Sequence, residues 1–262
     1  MFLDTHIDFA QDALSSRSVG YDRDTHNKPE TAPQRPNTVR MRMLEAAASE
    51  FVVVTADTPE LLREAYRLRH QVYCIERGFE ANEGSDIETD AFDDHAPHIV
   101  VRRKCDGGVV GAARLVLSQP GAADHGLPLH RLCGAELTAR VPMARTGEIS
   151  RFSVSKERRG LSSDATALLR LALAQGMLKL SAEYGVTHWC AVMERSLIRL
   201  LRSTAIHFEA FGPMIEYHGM RQPVVGCIDS ILKQMKVEQP EIWEFVTLGG
   251  TIWPPSPRPQ LQ

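Results

Sequence analysis

The chain has 262 residues, 43% hydrophobic and 24% charged, proportions that suit one globular domain with or without extensions. Its 30 basic and 33 acidic residues leave a net charge of -3, which excludes a global basic field for nucleic acid. The five cysteines (Cys74, Cys105, Cys133, Cys190 and Cys227) include no C-x-x-C pair, so neither a disulfide frame nor a zinc site is expected and the thiols read as reduced.

Residues 1–50 are polar and mixed, with Asn27-Lys28-Pro29 and Pro33-Gln34-Arg35-Pro36. They are expected to form a flexible or partly helical arm, with a short helix near Asp8–Leu14 and a turn or two of helix within Met41–Glu50. The N-terminus lacks a basic start followed by an apolar block, and no apolar run approaches the ~20 residues that cross a bilayer. A cytoplasmic protein without a membrane span is therefore expected.

Phe51-Val52-Val53-Val54-Thr55 reads as a strand. Asp57-Thr58-Pro59-Glu60 then supplies a cap, a first-turn proline and an early acid, the start of a helix running from Glu60 to about Glu76. Its apolar stripe is Leu61, Leu62, Ala65, Leu68 and Val72. Arg69 lies at the stripe's edge, either snorkelling to water or held inward toward carboxylates. Gly78 to Pro97 lacks apolar periodicity and carries Glu88, Asp90, Asp93 and Asp94 around Phe92. Spacing alone favours a solvated acidic loop, although a loop of this length also suits a lid. It lacks the internal Gly and terminal Glu of a calcium loop, so no metal is expected.

His98–Lys104 and Val109–Leu117 read as strands joined by the hairpin signal Asp106-Gly107-Gly108. Alternation places Val110, Ala112, Arg114 and Val116 on one face, where Arg114 is either an edge-strand charge or a second inward arginine. Residues 118–147 are irregular apart from a helical pattern around Leu129–Leu137. Ser163–Tyr184 is the strongest helix, with Ala165, Leu168, Leu169, Ala172, Leu173, Gly176 and Leu180 on one face. Val186–Val192 reads as a strand, Glu194 to about Ala205 as a helix, and Met214–Tyr217 with Val224–Cys227 as a closing hairpin. Trp243–Trp253 is apolar, and residues 254–262 form a Pro-rich tail. The order is that of an α/β domain over 51–253 with strands pairing both ways.

The chain turns on Gly147-Glu148-Ile149-Ser150-Arg151-Phe152-Ser153-Val154-Ser155. Ile149, Phe152 and Val154 make it a strand, yet it carries a carboxylate and a guanidinium, which buried strands hold only when paired or used. Strict alternation sends Glu148 and Arg151 to opposite faces; either a bulge re-aims one, or they serve different pockets. A basic, Gly-containing turn follows, Lys156 to Ser163, and then the long helix begins. That layout suits an anion.

Arg69-x-x-x-Tyr73, Phe79, Glu88-x-Asp90-x-Phe92-Asp93, Gly111-Ala112-Ala113-Arg114-Leu115 and Glu148-Ile149-Ser150-Arg151-Phe152 resemble, in order and spacing, the acyl-homoserine-lactone (autoinducer) synthases of the Gcn5-related N-acetyltransferase superfamily. The block Met193-Glu194-Arg195-Ser196-Leu197-Ile198-Arg199-Leu200-Leu201, with Gly212-Pro213, Glu216-Tyr217-His218-Gly219 and Arg221-Gln222-Pro223, is more similar to the N-acyl amino acid synthases, notably acyltransferases associated with the PEP-CTERM/exosortase system. The resemblance spans roughly Phe51 to Trp253. It implies a mixed twisted sheet with helices on both faces and a V-shaped gap at the central strand. It implies a long-chain acyl thioester donor on acyl carrier protein, or else acyl-CoA, whose pantetheine arm lies in that gap, with no tightly bound cofactor. The acceptor is a small amine or amino acid. Arg69, Asp90, Asp93, Arg114, Glu148 and Arg151 match the family's polar active-site set, and Phe152 closes the central motif. Tyr73 stands where Phe is usual and Phe79 where Trp is frequent. The superfamily's pyrophosphate turn, Arg/Gln-x-x-Gly-x-Gly/Ala, is here Glu157-Arg158-Arg159-Gly160-Leu161-Ser162, which suits a carrier protein better than coenzyme A. Arg158 and Arg159 are either a solvated basic turn or a dock for acidic carrier residues.

Amide formation requires a neutral amine beside the thioester carbonyl, and Glu148 is the candidate base. Arg151, with Arg69, Arg114, Asp90 and Asp93, would form a charge network that shapes the acceptor pocket. The alternatives are an S-adenosylmethionine-dependent lactone synthase and a non-catalytic acyl-carrier-binding module.

Overall fold

The computed structural model describes residue 44 and residues 49–81, 84–156 and 163–254. The expected arm helix at Asp8–Leu14, most of the Pro-rich tail, and Arg158 and Arg159 lie outside the described residues. Among the described residues, no helix is long and apolar enough to cross a membrane.

The chain runs β1 (Phe51–Thr55), α1 (Pro59–His70), β2 (His98–Arg103), β3 (Val109–Leu117), α2 (Pro128–Thr138), β4 (Thr146–Val154), α3 (Ser163–Tyr184), β5 (His188–Met193), α4 (Arg195–Arg202), β6 (Glu209–Ala210), β7 (Ile215–Glu216), β8 (Met220–Cys227), α5 (Ile228–Glu238) and α6 (Pro240–Thr247). The sheet order is β1-β2-β3-β4-β5-β8-β6, with β7 paired to β8. All these pairings are antiparallel except β4–β5, which is parallel.

Alternation along the strands feeds two faces. Ile99, Val101, Ala113 and Leu115 join Leu169, Leu173 and Met177 of α3, and the same cluster takes in Ile228, Ile231, Leu232, Ile242 and Val246 of α5 and α6. Val100 and Ala112 instead join Ala65, Leu68 and Val72. Val116 packs with Leu129, Cys133 and Leu137 of α2. Helices thus cover both faces. A Cβ on Gly176 of α3 would come within 2.9 Å of Ile99 and Val53, so glycine there lets the helix lie close on the sheet.

Several expectations are corrected. Val110 packs on the α3 side rather than with Ala112, because the β2–β3 register slips between Val101 and Arg102. Arg114 is no edge charge, since β3 is an interior strand. α1 begins as expected, with the Thr58 hydroxyl accepting from Leu61 N at 3.3 Å, but over Gln71–Glu76 it widens into a π-helical segment. Such segments gather at functional sites. β5 starts at His188, and α4 stops at Arg202. Helices α5 and α6 were not expected at all.

Candidate active site

The sheet opens at its centre. β4 and β5 pair at Thr146–His188, Gly147–Trp189 and Glu148–Cys190. Beyond Glu148 the ladder ends, although β4 continues to Val154 and β5 to Met193. The widening fork is the expected V-shaped gap. It opens into a cavity of ≈ 570 Å³. One part is apolar, with Ile149, Phe152, Ala174, Met177, Leu197 and Phe208; the other is polar, with Asp90, Arg114, Glu148, Ser150 and Arg151.

Glu148 stands where the strands part and is 3% exposed. Its Oε2 accepts from Leu129 N at 2.7 Å, at the start of α2. Burial pushes its carboxyl up to about 8, against the pull of that N–H and of Arg114 and Arg151. The side chain can therefore exchange its proton near neutral pH rather than standing as a fixed anion.

Arg151 resolves the alternation conflict. The β3–β4 register slips between Ala112–Ser153 and Arg114–Ser150, placing a bulge in β4. Arg151 sits in it with φ 51°, a left-handed conformation that costs energy for a residue with a Cβ. The bulge turns its guanidinium to the acidic loop. Its Nη2 donates to Glu88 Oε1 at 2.8 Å, Asp90 Oδ2 at 3.1 Å and Glu80 Oε1 at 3.2 Å.

Three of the loop's acids are not solvated, contrary to the reading from spacing: Glu88, Asp90 and Asp93 turn inward to arginines from α1, β3 and β4, while Asp94 stays exposed. Arg69, 0% exposed, donates from Nε to Glu88 Oε2 at 2.6 Å and from Nη1 to Asp93 Oδ1 at 2.7 Å. Arg114, 1% exposed, donates from Nη1 to both Asp90 Oδ1 and Asp93 Oδ1 at 2.6 Å, and from Nε to Ser150 Oγ at 2.9 Å. His98 Nε2 lies 3.2 Å from Asp93 Oδ1. Burial by itself would raise all three carboxyls. Hydrogen bonds outweigh it and hold them low: Arg151 and Arg69 at Glu88, Arg114 at Asp90, His98 and Arg69 at Asp93.

Tyr73, Phe79, Asp90, Arg114, Glu148, Arg151 and Phe152 all line the cavity. Arg69 and Asp93 stand behind Arg114 and do not. The Arg151 guanidinium lies 5.0 Å from the centre of the Tyr73 ring, and burial raises the Tyr73 hydroxyl's pKa. Sequence reading missed Glu80, His98 and Ser150 as members of the network; nothing in their spacing marks them. No group of three or more His, Cys, Asp or Glu side chains suited to a metal ion occurs among the described residues.

A sheet splayed at one parallel pair, with a buried carboxyl in the fork and apolar side chains beside it, is the arrangement that the family resemblance implied. A family model described as N-acyl amino acid synthase FeeM matches residues 64–228. The chain belongs to this N-acyl amino acid synthase family, and it is an acyltransferase. The solved structure of FeeM, an N-acyl amino acid synthase from uncultured soil microbes, is 15% identical, with 72% of this chain and 96% of that one covered and a TM-score of 0.53. MesI, a CoA-dependent acyl-homoserine lactone synthase, is 22% identical over 76% of this chain and 95% of its own, TM-score 0.53. BjaI, another CoA-dependent synthase, solved with SAM and isopentyl-CoA, is 17% identical over 76% and 99%, TM-score 0.52. At these identities the likeness establishes the fold alone. Among curated proteins, no sequence matches the chain.

Proposed function

We propose that this acyltransferase moves a long-chain fatty acyl group from the phosphopantetheine thioester of acyl carrier protein to the amine of an amino acid, in the cytoplasm, giving an N-acyl amino acid. The observation that carries the reading is the place of Glu148: a buried carboxyl at the fork of the gap, between an apolar and a polar part of one cavity. The domain we assign to the activity is 51–253, with 1–50 and 254–262 as appendages.

The fork admits the pantetheine arm, and the acyl chain enters the apolar part. The amine approaches from the polar part. Glu148 takes a proton from the incoming nitrogen, directly or through one water. Its pKa of about 8 is close to that of a free α-amine, near ~8, so the transfer costs little in either direction. Nitrogen attacks the thioester carbon, the C–N bond forms, and a tetrahedral oxyanion develops. Backbone N–H groups on the gap edge of β4 stabilise it. The C–S bond then breaks, the thiol leaves with the proton returned from Glu148, and the nitrogen gives its second proton to Glu148, which releases it to solvent and ends the cycle ionised. Arg114 and Arg151 shape the acceptor side, while Arg69 and Asp93 position them from behind. Tyr73, Phe79 and Phe152 set the walls. Arg158 and Arg159 meet acidic residues of the carrier.

The test is to incubate the protein with acyl carrier protein or coenzyme A loaded with chains of several lengths, add a pool of amino acids, and read product masses. N-acyl amino acids from the carrier-bound donor are expected. The fold shared with solved acyl-homoserine lactone synthases favours one second reading. With S-adenosylmethionine added, an acyl-homoserine lactone and methylthioadenosine would replace the amide product and overturn the proposal.

A further inference from the structure

The cavity holds a second set of cations that the charge network above does not use. Arg77 follows the π-helical segment, Glu194 follows β5 as the cap residue of α4, and Arg221 lies on β8; all three line the cavity. Arg77 Nη1 and Arg221 Nη2 both donate to the same oxygen, Glu194 Oε1, each at 3.3 Å. Two guanidiniums therefore share one carboxylate, through long bonds. Among the described residues, Glu194 Oε2 takes only the Ser196 hydroxyl, also at 3.3 Å.

Arg221 is the more enclosed of the two, its side chain 15% exposed against 42% for Arg77. Its Nε–H is buried and meets no acceptor among the described residues. Its Nη2 has a second weak acceptor, His218 O at 3.3 Å. Both guanidiniums lie 5.4 Å from the centre of the Phe79 ring, and the His218 ring stacks on it at 5.0 Å. Glu80, which also approaches His218, at 3.6 Å from its Nε2, is already drawn to Arg151 at 3.2 Å.

The two arginine groups differ in balance. Arg69, Arg114 and Arg151 face Glu88, Asp90 and Asp93, with Glu80 in addition, and leave no cation for a ligand. Among the described residues, Arg77 and Arg221 form ion pairs with Glu194 alone.

The geometry points to Arg221, supported by Arg77, as the site that binds the carboxylate of the amine acceptor. This rests on the amino acid acceptor proposed above. A carboxylate on the Nε–Nη2 edge forms the side-on, bidentate pair that guanidinium geometry favours. It satisfies the orphaned Nε–H after a small turn of the side chain and displaces the long bond to Glu194. It also brings two anions against two cations. Phe79 and His218 keep the Arg221 plane in place. An acceptor without a carboxylate leaves the cluster as it is and gains none of this, which makes the site selective.

The test uses the full chain, acyl carrier protein loaded with one acyl length, and two acceptors. These are the protein amino acid that the wild type acylates fastest and the amine that lacks its carboxylate. Wild type should prefer the amino acid by about 100-fold in kcat/KM, and Arg221→Gln should cut that preference to about 5-fold or less, through a raised KM for the amino acid. Arg221→Lys should fall between them. Glu194→Gln, which removes the competing carboxylate, should lower KM for the amino acid and not for the amine. This second variant decides the matter if Arg221→Gln does not fold. The inference is overturned if Arg221→Gln weakens both acceptors alike, or if it raises KM for the acyl donor, which would make this a phosphate site. If wild type acylates neither amino acids nor amines, the proposed function itself is wrong and this inference goes with it.

Discussion

Glu88 and Glu148 are both more than nine-tenths withdrawn from water, and burial drives both toward the neutral form. At Glu88 two arginines reverse the drive. Arg69 approaches to 2.6 Å and Arg151 to 2.8 Å, and the carboxyl stays low. At Glu148 only a backbone N–H and more distant charges oppose it, and the carboxyl stands at about 8. The same residue type is thus fixed as an anion in one place and left able to exchange a proton in the other. Pairs of acids driven apart in this way mark the division between scaffold and chemistry.

The sharpest way to break that comparison is to remove the exchangeable proton. Glu148→Gln keeps an acceptor for Leu129 N and a similar volume, so the fold should hold. The turnover should fall by about 10²- to 10⁴-fold, the range for a lost general base, read in single turnovers with acyl carrier protein. If both carrier binding and turnover stay at the wild-type level, Glu148 is not the base. The complementary test attacks the fixed anion. Arg69→Ala leaves Glu88 and Asp93 buried with fewer cations, and removing one member of a buried ion pair costs about 3–5 kcal/mol. Urea unfolding measures it. A loss under about 1 kcal/mol would mean the cluster is wetter than its burial implies.

Much of this site was legible in the chain, and the part that was not has a physical cause. Arg69 and Arg114 announced themselves as cations on apolar faces, where regular periodicity tells inside from outside. The loop over 78–97 has no such period. The facing of Glu88, Asp90 and Asp93 is decided by arginines from α1, β3 and β4, up to 63 residues away for Arg151 and Glu88. Arg151's own direction depends on a bulge with φ 51°, and no glycine marks it. Helices α5 and α6 were a different kind of miss. Ile228, Ile231, Leu232 and Met235 follow helical spacing and Pro240 stands at a helix start, so the signal was present and went unread. Arg77, Glu194 and Arg221 belong to segments remote in sequence, and only the folded sheet brings them together.

The pH dependence sharpens the comparison next, because the two glutamates must respond with opposite signs. Glu148 has a folded pKa, about 8, above the ~4.3 of an unfolded glutamate. The folded state holds the proton longer, so stability is lost as pH rises from about 4 to about 8, at up to about 1.4 kcal/mol per pH unit. Glu88, Asp90 and Asp93 have lowered pKa values. Their contribution is present above the unfolded values near ~4 and is lost as pH falls below them. Chemical denaturation across pH should therefore show Glu148→Gln gaining on wild type from pH 5 to 8 and keeping the same acid limb. Turnover should rise through pH about 8 in wild type, as base and amine deprotonate together. A flat difference between the two proteins over that interval would place Glu148 in a wetter site.

The smallest effect concerns the apolar part of the cavity, where no proton moves and size alone discriminates. Ala174 of α3 lines it beside Met177, Leu197 and Phe208. Ala174→Leu puts extra carbon into space that a long acyl chain would fill, while the fork, Glu148 and the arginines are untouched. Removing room for a methylene or two is worth about 1–3 kcal/mol in such pockets. The ratio of kcat/KM for a hexadecanoyl over an octanoyl donor should thus fall about 10-fold or more, with the octanoyl rate little changed. Equal losses on both donors would mean that the chain does not run past α3, and that the apolar part of the cavity serves the acceptor instead.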